Sequence, residues 1–202
     1  MSGIAIYMEG GGNTSATKAA LRQGMDDFLI GLKNSARAKS WHWKLVCCGG
    51  RDQAFNAFKN ARNSNSSTIV VLLVDSEGPV NGRPCNHLIA RDSWDMAGVP
   101  DDDVFLMVQT MEAWIVADLG ALQSYYGQRF GGNALPKAND LDTVSKIDVA
   151  NALDQATRRA TPKGIYKKIR HASDLLKRID PQIVRQRCPS CDRLFVGLEN
   201  RI

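Results

Sequence analysis

Residues 68–79 read TIVVLLVDSEGP, and this stretch sets the class of fold. Its first seven residues are almost purely aliphatic or β-branched, which is typical of a central strand covered on both faces of a parallel sheet. The apolar run stops at Asp75, and Glu77 follows two residues later, before a Gly-Pro pair. The stretch therefore predicts an α/β protein in which a buried strand ends in two acidic side chains.

Three other short apolar segments have the character of strands, and each is followed by residues at helical spacing. The strands are predicted at residues 4–8, 43–48 and 104–108. The helices are predicted from about 14 to 33, from 54 to 61 and from 111 to 126. This repeated order predicts right-handed β-α-β units, and hence a parallel sheet of about four strands flanked by helices. Residues 79–103 show no clear periodicity, so we expect a long functional loop there.

The alternation of strands and helices is lost after residue 130. The remaining sequence predicts short helices at residues 146–159, 165–178 and 181–187, joined by segments that contain Pro and Gly. We therefore expect two parts. Residues 1–130 form the α/β core, and residues 131–202 form a basic, mainly helical C-terminal extension that packs on that core.

The composition is that of a soluble globular protein. Of the 202 residues, 44% are hydrophobic and 23% are charged, which excludes disordered and fibrous classes. The longest apolar run is too short to cross a bilayer and the N-terminus resembles no secretory signal, so we expect a cytoplasmic protein without a membrane partner. Five cysteines are an odd number, which favours reduced thiols over disulfides.

The net charge of +5 is unevenly distributed along the chain. Residues 151–202 contain 12 Lys or Arg and 5 Asp or Glu, whereas residues 1–150 contain 14 and 16. A basic segment beside an acidic site favours a phosphodiester substrate, because the cations attract phosphates. The alternative is a solvated helical face that is rich in Lys and Arg and binds nothing.

Three acidic residues, Glu9, Asp75 and Glu77, follow predicted strands. The carboxyl ends of parallel strands share one edge of the sheet, so we expect these side chains to meet there. Asp75 and Glu77 are two positions apart, and in extended backbone both would point to one side. Carboxylates select Mg²⁺ or Mn²⁺, so we expect the three side chains to hold one such ion, and Glu9 would also act as a general acid or base. Alternatively, Glu9 caps a helix and Asp75 is a turn residue.

Gly10, Gly11 and Gly12 follow Glu9 directly. Glycine has no Cβ, so the loop would let a phosphate approach the backbone near the start of a helix, and we expect Gly10 and Gly11 to contact substrate. The loop does not match the dinucleotide-binding pattern, because Ser15 stands where that pattern requires glycine. A Walker-type Gly-Lys-Ser/Thr motif is also absent from the sequence.

Residues after the other two strands are further candidates. Glu112 follows the fourth predicted strand and offers another carboxylate to the metal, although an acidic first turn also simply stabilises a helix. Arg51 follows the second strand, and its planar guanidinium suits a phosphate; a surface salt bridge is the alternative. His87 and Arg91, in the predicted long loop, are candidates of the same kind.

The basic extension contains a group at helical spacing that we expect to bind phosphate. Its members are Lys163, Tyr166, Lys167 and His171. Much of the group would lie on one helical face, where Lys163, Lys167 and His171 would contact substrate and His171 would also exchange a proton. The alternative for Tyr166 is a place in the hydrophobic core.

Cys188 and Cys191 have the spacing of half a zinc site. Tetrahedral zinc requires four ligands, and the sequence has no second pair of cysteines or histidines at suitable spacing. We therefore expect no zinc at these two residues.

Several of these segments together resemble a known family. A strand that ends in Glu-Gly, followed by an aliphatic strand that ends in Asp-x-Glu, is similar to a Toprim domain. The closer resemblance is to the uncharacterised Toprim-like family 4276 among the domains of unknown function. The segments that carry it are residues 7–12 (YMEGGG), 48–51 (CGGR), 73–79 (LVDSEGP), 107–114 (MVQTMEAW), 133–136 (NALP) and 162–166 (PKGIY).

The resemblance implies a Toprim-like fold and a metal-dependent nuclease of bacterial anti-phage systems. It implies that Glu9 is the acid or base and that Asp75 and Glu77 hold the metal, although the Toprim pattern usually has Asp at the third position. It also implies an ABC or overcoming-lysogenization-type ATPase as a partner subunit. A homo-oligomer is compatible with this assembly.

Three functions follow from these observations. The leading hypothesis is Mg²⁺-dependent cleavage of DNA, RNA or tRNA, with the basic extension binding the strand and an ATPase controlling cleavage. The second hypothesis is a non-catalytic regulatory or nucleic-acid-binding subunit of an ATPase complex. The third, a phosphohydrolase of small phosphates, fits the basic extension less well.

Overall fold

The computed structural model describes residues 2–64 and 67–202, and its central element is a sheet of four strands. The strands are β1 (Gly3–Met8), β2 (His42–Cys47), β3 (Thr68–Asp75) and β4 (Val104–Met107). They lie in the order β2-β1-β3-β4, and all neighbouring pairs are parallel. This arrangement confirms the predicted α/β class and the predicted parallel sheet flanked by helices.

Helices follow each strand and make up most of the C-terminal part. They are α1 (Ser15–Phe28), α2 (Ile30–Ala38), α3 (Arg51–Ser64), α4 (Pro84–Asp92), α5 (Met111–Ala117), α6 (Leu119–Tyr126), α7 (Lys146–Thr157), α8 (Lys168–Leu176), α9 (Pro181–Arg187) and α10 (Pro189–Glu199). Short 3-10 turns occur at Asp101–Asp103, Gly132–Ala134 and Leu141–Thr143. None of these helices combines the length and apolar character that crossing a bilayer requires.

The sheet separates two layers of hydrophobic core. In β1, Ile4 and Ile6 face the larger layer, which includes α1, α2 and α5 to α10, whereas Ala5 and Tyr7 face the smaller layer beside α3 and α4. Alternate side chains of a strand point to opposite faces, so a strand covered on both sides has to be apolar throughout. The same reason accounts for the aliphatic sequence of β3.

Two predicted long helices are each divided by one residue. The first ends at Phe28, and α2 begins after Leu29, which is fully buried and lies outside helical geometry. The helix predicted over residues 111–126 is divided at Asp118. The Asp118 carboxylate accepts the N–H of Ala121 at 2.9 Å and so caps α6. The apolar pattern continued through both breaks, so it did not reveal them.

The predicted loop at residues 79–103 contains a helix, so that prediction was wrong in part. Pro84 stands at the first position of α4, where a missing N–H costs nothing. Cys85 and Leu88 point into the core, and Ser93, with φ of +57°, ends the helix. The helix is short and buries only two side chains, which explains why its periodicity was not evident.

The C-terminal helices bury their apolar side chains in the larger layer of the core. α8 packs along α1, and α10 packs along β4. Cys188 and Cys191 are fully buried free thiols at the start of α10. Burial raises the pKa of both thiols. These cysteines therefore contribute apolar packing at the junction of α9 and α10.

Candidate metal centre

The sheet order places the ends of β1 and β3 side by side, and acidic residues stand at both ends. Met8 pairs with Leu73, and the Glu9 N–H donates to the Leu73 carbonyl at 3.1 Å. One carboxylate oxygen from each of Glu9, Asp75 and Glu77 lies within 4.8 Å of the other two. The three acids that follow the predicted strands therefore form one cluster at the sheet edge.

Asp75 is the buried member of the cluster, with only 3% of its surface exposed. Its Oδ1 accepts the Met111 N–H at 2.8 Å, and its Oδ2 lies 3.2 Å from Nζ of Lys168. Burial raises the pKa of Asp75 to about 6. The Lys168 ammonium opposes this rise, and the charges of Glu112 and Glu9 add to it. A second nearby cation would therefore stabilise the ionised form of Asp75.

Glu77 reaches the cluster from a left-handed backbone, since its φ is +63°. The predicted extended pair of Asp75 and Glu77 is therefore wrong, because β3 ends at Asp75 and the chain turns after it. The Glu77 N–H donates to the Gln109 carbonyl at 2.8 Å, which holds the turn against the segment after β4. Burial raises the pKa of Glu77, but the hydrogen bond and charge of Lys146 lower it overall.

Arg51 lies at the site, at the start of α3, and is held by acidic partners. Its Nη1 donates to Oε2 of Glu9 at 3.1 Å and to the Asp75 carbonyl. Its Nε and Nη2 donate to the two oxygens of Asp92 at 2.8 and 2.7 Å. Most of its donors are therefore used within the protein. Contact of Arg51 with a phosphate stays a prediction. The alternative, a salt bridge, is present, since Arg51 pairs with Glu9 and Asp92.

Glu112 is joined to the cluster through a lysine. Its Oε2 lies 3.2 Å from Nζ of Lys168, the same ammonium that contacts Asp75, and its Oε1 accepts the Tyr166 hydroxyl at 3.1 Å. Glu112 is 9% exposed. Both oxygens of its carboxylate therefore have partners, as both oxygens of Asp75 do, and its role as a fourth metal ligand stays a prediction.

Lys168 is the functional candidate that sequence reasoning missed. Burial lowers the pKa of its ammonium, but the carboxylates of Asp75 and Glu112 raise it above the ordinary value. It stands in the basic run of residues 167–170. That basic run indicated the region, but helical spacing favoured Lys163 and Lys167. No local pattern indicates which lysine faces β3, so Lys168 was not selected.

The predicted phosphate-binding face of residues 163–171 is not a single helical face. α8 begins only at Lys168, and Lys163 and Tyr166 belong to the preceding turn, in which Gly164 has φ of +73°. The Tyr166 N–H donates to Oγ1 of Thr157 at 2.9 Å and holds this turn against α7. The Lys163 ammonium lies 4.3 Å from the centre of the Tyr125 ring.

His171 lies beneath the surface and is 1% exposed. Its Nδ1 accepts the Lys167 N–H at 3.0 Å, and its Nε2 has no hydrogen-bond partner among the described residues. Burial lowers the pKa of the imidazole, and the charges of Arg170 and Lys163 lower it further. The substrate contacts expected of Lys163, Lys167 and His171 stay predictions.

The glycine loop is shaped by close approaches of backbone. Gly10 and Gly49 exchange two N–H to carbonyl hydrogen bonds, of 2.8 and 3.0 Å. The Gly10 N–H is therefore not free for a phosphate. At Gly11, where φ is +91°, an added Cβ would lie 2.8 Å from Cα of Lys18 in α1. Contact of Gly10 and Gly11 with substrate stays a prediction.

The two other candidates lie on α4. His87 Nε2 is 2.9 Å from the carbonyl of Ser76, the residue between Asp75 and Glu77. Arg91 pairs with Asp92, the residue that also holds Arg51. α4 therefore supports the turn that carries Glu77. Its His87 contacts the backbone of that turn, and its Asp92 contacts Arg51.

Comparison with known proteins identifies a family. The model of the family described as Domain of unknown function (DUF4276) matches residues 8–199. No curated protein and no solved structure matches the chain. The match covers the three acids of the cluster, strands β2 to β4 and most of the C-terminal part, whereas only the last residue of β1 lies within it.

Proposed function

Since the chain belongs to the family described as Domain of unknown function (DUF4276), we propose a function from the geometry of its carboxylate cluster. The proposed function is Toprim-like, Mg²⁺- or Mn²⁺-dependent hydrolysis of phosphodiester bonds in DNA or RNA. In this proposal the protein is the effector of a bacterial anti-phage system, and a partner ATPase of the ABC or overcoming-lysogenization type controls cleavage.

The spacing of the three carboxylates supports a metal site. Oxygens of Glu9, Asp75 and Glu77 lie within 4.8 Å of one another. Ligands of one octahedral Mg²⁺ lie about 3.0 Å apart, or about 4.2 Å apart when they are opposite each other, because each is about 2.1 Å from the ion. Side-chain movements of about 1 Å would therefore let the three oxygens share one ion. Hard carboxylate oxygens are also the ligands that Mg²⁺ and Mn²⁺ prefer.

The proposal gives the residues distinct roles. Asp75 and Glu77 hold the metal, which when bound supplies a Lewis acid and an activated water. Glu9 moves a proton as general acid or base, as the Toprim resemblance implies. The Arg51 guanidinium orients Glu9 through the 3.1 Å bond to Oε2. Arg51 is itself fixed by Asp92, so the position of the Glu9 carboxylate is determined by two linked ion pairs.

The charges around the cluster also fit a phosphodiester substrate. The acids are Glu9, Asp75, Glu77 and Glu112, and the cations paired with them are Arg51, Lys146 and Lys168. The group has one net negative charge without metal and one net positive charge with a divalent ion. A positive site complements the single negative charge of a phosphodiester.

A cleavage assay tests this function. Purified protein is incubated with single-stranded DNA, duplex DNA and tRNA in Mg²⁺, Mn²⁺ or EDTA. We expect cleavage with metal and none with EDTA, and a loss of about 100-fold or more in Glu9→Gln, since general acid–base groups contribute at least that much. Asp75→Asn should also abolish the binding of Mn²⁺ in calorimetry.

Asp95→Asn is the matched control for these variants. Asp95 pairs with Lys59, and 77% of its side chain is exposed. This control should cut like the wild type. The proposal is wrong if no substrate is cut even when the partner ATPase and ATP are added, or if the Glu9 and Asp75 variants cut as well as the control.

One observation favours a second function, a non-catalytic regulatory or nucleic-acid-binding subunit of an ATPase complex. Lys168 already pairs with Asp75 and Glu112, and Lys146 pairs with Glu77, as in a structural ion-pair network. This alternative predicts that calorimetry detects no metal binding that depends on Asp75. Capture of the ATPase by the Asp75→Asn variant should then equal capture by the wild type.

A further inference from the structure

Two clefts open beside the carboxylate cluster. The first, here called the glycine cleft, has a volume of about 180 Å³ and lies between the glycine loop, α1 and α8. Its walls include Gly12, Leu21, Met111, Lys168 and Ile169. The second, the tyrosine cleft, has a volume of about 410 Å³ and lies between α5, α7 and Tyr166. Its walls include Glu112, Lys146, Ile147, Leu153 and Tyr166.

The carboxylate cluster lies where the two clefts approach each other. The glycine cleft contributes Met111 and Lys168, both of which hydrogen bond to Asp75. The tyrosine cleft contributes Lys146, which pairs with Glu77, and Glu112. The ion pair of Lys168 and Glu112, at 3.2 Å, joins the wall of one cleft to the wall of the other. A ligand that occupied both clefts would therefore pass over the acidic cluster.

Each cleft carries a strongly exposed isoleucine. Ile169 is 64% exposed in the glycine cleft, and Ile147 is 65% exposed in the tyrosine cleft; these are the most exposed large apolar residues of the described chain. Each directly follows a lysine that pairs with an acid of the cluster. Neither side chain is needed for the core. Apolar groups that flank a polar centre on two sides suit a ligand that has apolar faces on both sides of a charged group.

We infer that the two clefts receive unpaired bases of a single-stranded nucleic acid, one on each side of the phosphodiester at the acidic cluster. This inference rests on the proposed function and names its substrate class. A base that leaves its stack is held between apolar or aromatic side chains, whereas a duplex keeps its bases stacked and presents mainly phosphates and sugars.

At the glycine cleft, size and charge support the same occupant. The glycine cleft is smaller than the roughly 300–1,000 Å³ pockets that hold drug-sized ligands, so it suits a group the size of one base. Lys167 and Arg170 are exposed on either side of the Lys168–Ile169 pair. Their charges complement the backbone of a strand whose base enters the cleft. A protein partner would gain no comparable benefit from bridging an acidic centre with cations on its rim.

Binding of labelled oligonucleotides in EDTA tests the inference without metal chemistry. Fluorescence anisotropy compares a single strand with its duplex for the wild type, Ile147→Ser and Ile169→Ser. Ile30→Ser is the control, because Ile30 is 44% exposed on α2 and lines neither cleft. We expect each cleft variant to raise the single-strand Kd about tenfold, since a partly buried Ile contributes about that much. Duplex binding and the control should not change.

Three results would overturn the inference. They are absence of oligonucleotide binding, equal losses for single strand and duplex, and cleft variants that bind the single strand like Ile30→Ser. Failure of the proposed function has a different signature. In that case Ile-dependent binding of the single strand persists in EDTA, while Asp75-dependent metal binding and cleavage are absent.

Discussion

Glu77 carries its carboxylate into the cluster from a backbone conformation that an L-residue rarely adopts. Its φ of +63° lies in the left-handed region, where a Cβ costs about 1–2 kcal/mol. The neighbouring contacts maintain this conformation, since the Glu77 N–H is bound by Gln109 and the carboxylate by Lys146. Strained residues of this kind are concentrated at functional sites. The conformation of Glu77 is therefore independent support for a role in the cluster.

Comparing Glu77→Gly with Glu77→Ala tests this strain. Both variants lose the ion pair with Lys146, so their difference reports the backbone alone. We expect the glycine variant to be more stable than the alanine variant by about 1 kcal/mol in urea unfolding, because glycine tolerates positive φ. Both should lose metal-dependent cleavage. An alanine variant as stable as the glycine variant would show that the turn is unstrained.

The contact between the glycine loop and α1 determines how the first helix meets the sheet edge. Gly11 approaches Cα of Lys18 so closely that a methyl group would lie at 2.8 Å. Backbone atoms of a helix cannot move without displacing the whole element. The loop therefore requires glycine for packing, independently of any ligand.

Gly11→Ala should be more destabilising than Gly82→Ala. Both glycines have nearly the same φ, +91° and +92°, but a Cβ at Gly82 would meet nothing within 4 Å. The two variants share the conformational cost, so the difference isolates the clash with α1. We expect an additional loss of about 1–3 kcal/mol for Gly11→Ala, as in overpacked cores. Equal Tm values for the two variants would contradict this account.

The start of α10 depends on a carboxylate outside the metal centre. Asp142, in the turn Leu141–Thr143, accepts the Ser190 N–H at 2.6 Å and the Ser190 hydroxyl at 2.9 Å. Burial raises the pKa of Asp142 to about 6; the hydrogen bonds from Ser190 oppose this rise, and the charge of Asp140 adds to it. The folded state therefore holds the proton of Asp142 more tightly than the unfolded chain does.

This shift predicts how stability changes with pH. Between about pH 4 and pH 6 the folded protein binds more protons at Asp142 than the unfolded chain, so the contribution of Asp142 to stability falls as the pH rises. Asp142→Asn keeps an acceptor for the Ser190 N–H and has no charge. The Tm of the variant relative to wild type should therefore increase from pH 4 to pH 6 and then level off. A constant difference would show that Asp142 titrates normally.

For the whole molecule, the decisive feature is that lysines of the C-terminal helices neutralise acids at the edge of the sheet. Lys168 contacts Asp75 across 93 positions in the sequence, and Lys146 contacts Glu77 across 69. The packing of α8 on α1 brings the first of these lysines to the site. Folding of the C-terminal part and assembly of the cluster are therefore linked.

Lys168→Gln tests this link through two quantities, the stability of the fold and the affinity of the cluster for metal. Without metal, Asp75 and Glu112 would lose their shared cation, and we expect a loss of roughly 1–2 kcal/mol, since the lysine side chain is 45% exposed. With the competing ammonium removed, Mn²⁺ should bind about tenfold more tightly in calorimetry, which corresponds to about 1.4 kcal/mol.

Lys177→Gln is the control for this variant. Lys177 is exposed on the segment after α8, and its Nζ contacts Gln23 at 3.3 Å. It should have nearly the stability and metal affinity of the wild type. Unchanged metal affinity in Lys168→Gln would mean that the ammonium does not compete with the ion.

The four strands, their parallel direction and the edge of the sheet that carries Glu9 and Asp75 could be predicted from the sequence. Strand character depends on neighbouring residues, and the handedness of β-α-β units then places the strand ends together. The breaks at Leu29 and Asp118 could not be predicted, because the apolar pattern is continuous across them.

Local pattern alone therefore establishes the sheet and where its acids lie along the chain. Packing alone establishes the turn that aims Glu77, the ion pairs that hold Arg51, and the choice of Lys168 over Lys163 or Lys167. The reason is physical. Strand and helix periodicity depend on nearby residues, whereas an ion pair depends on where two elements far apart in the sequence meet. The residues around each partner do not determine the distance between the two charged groups.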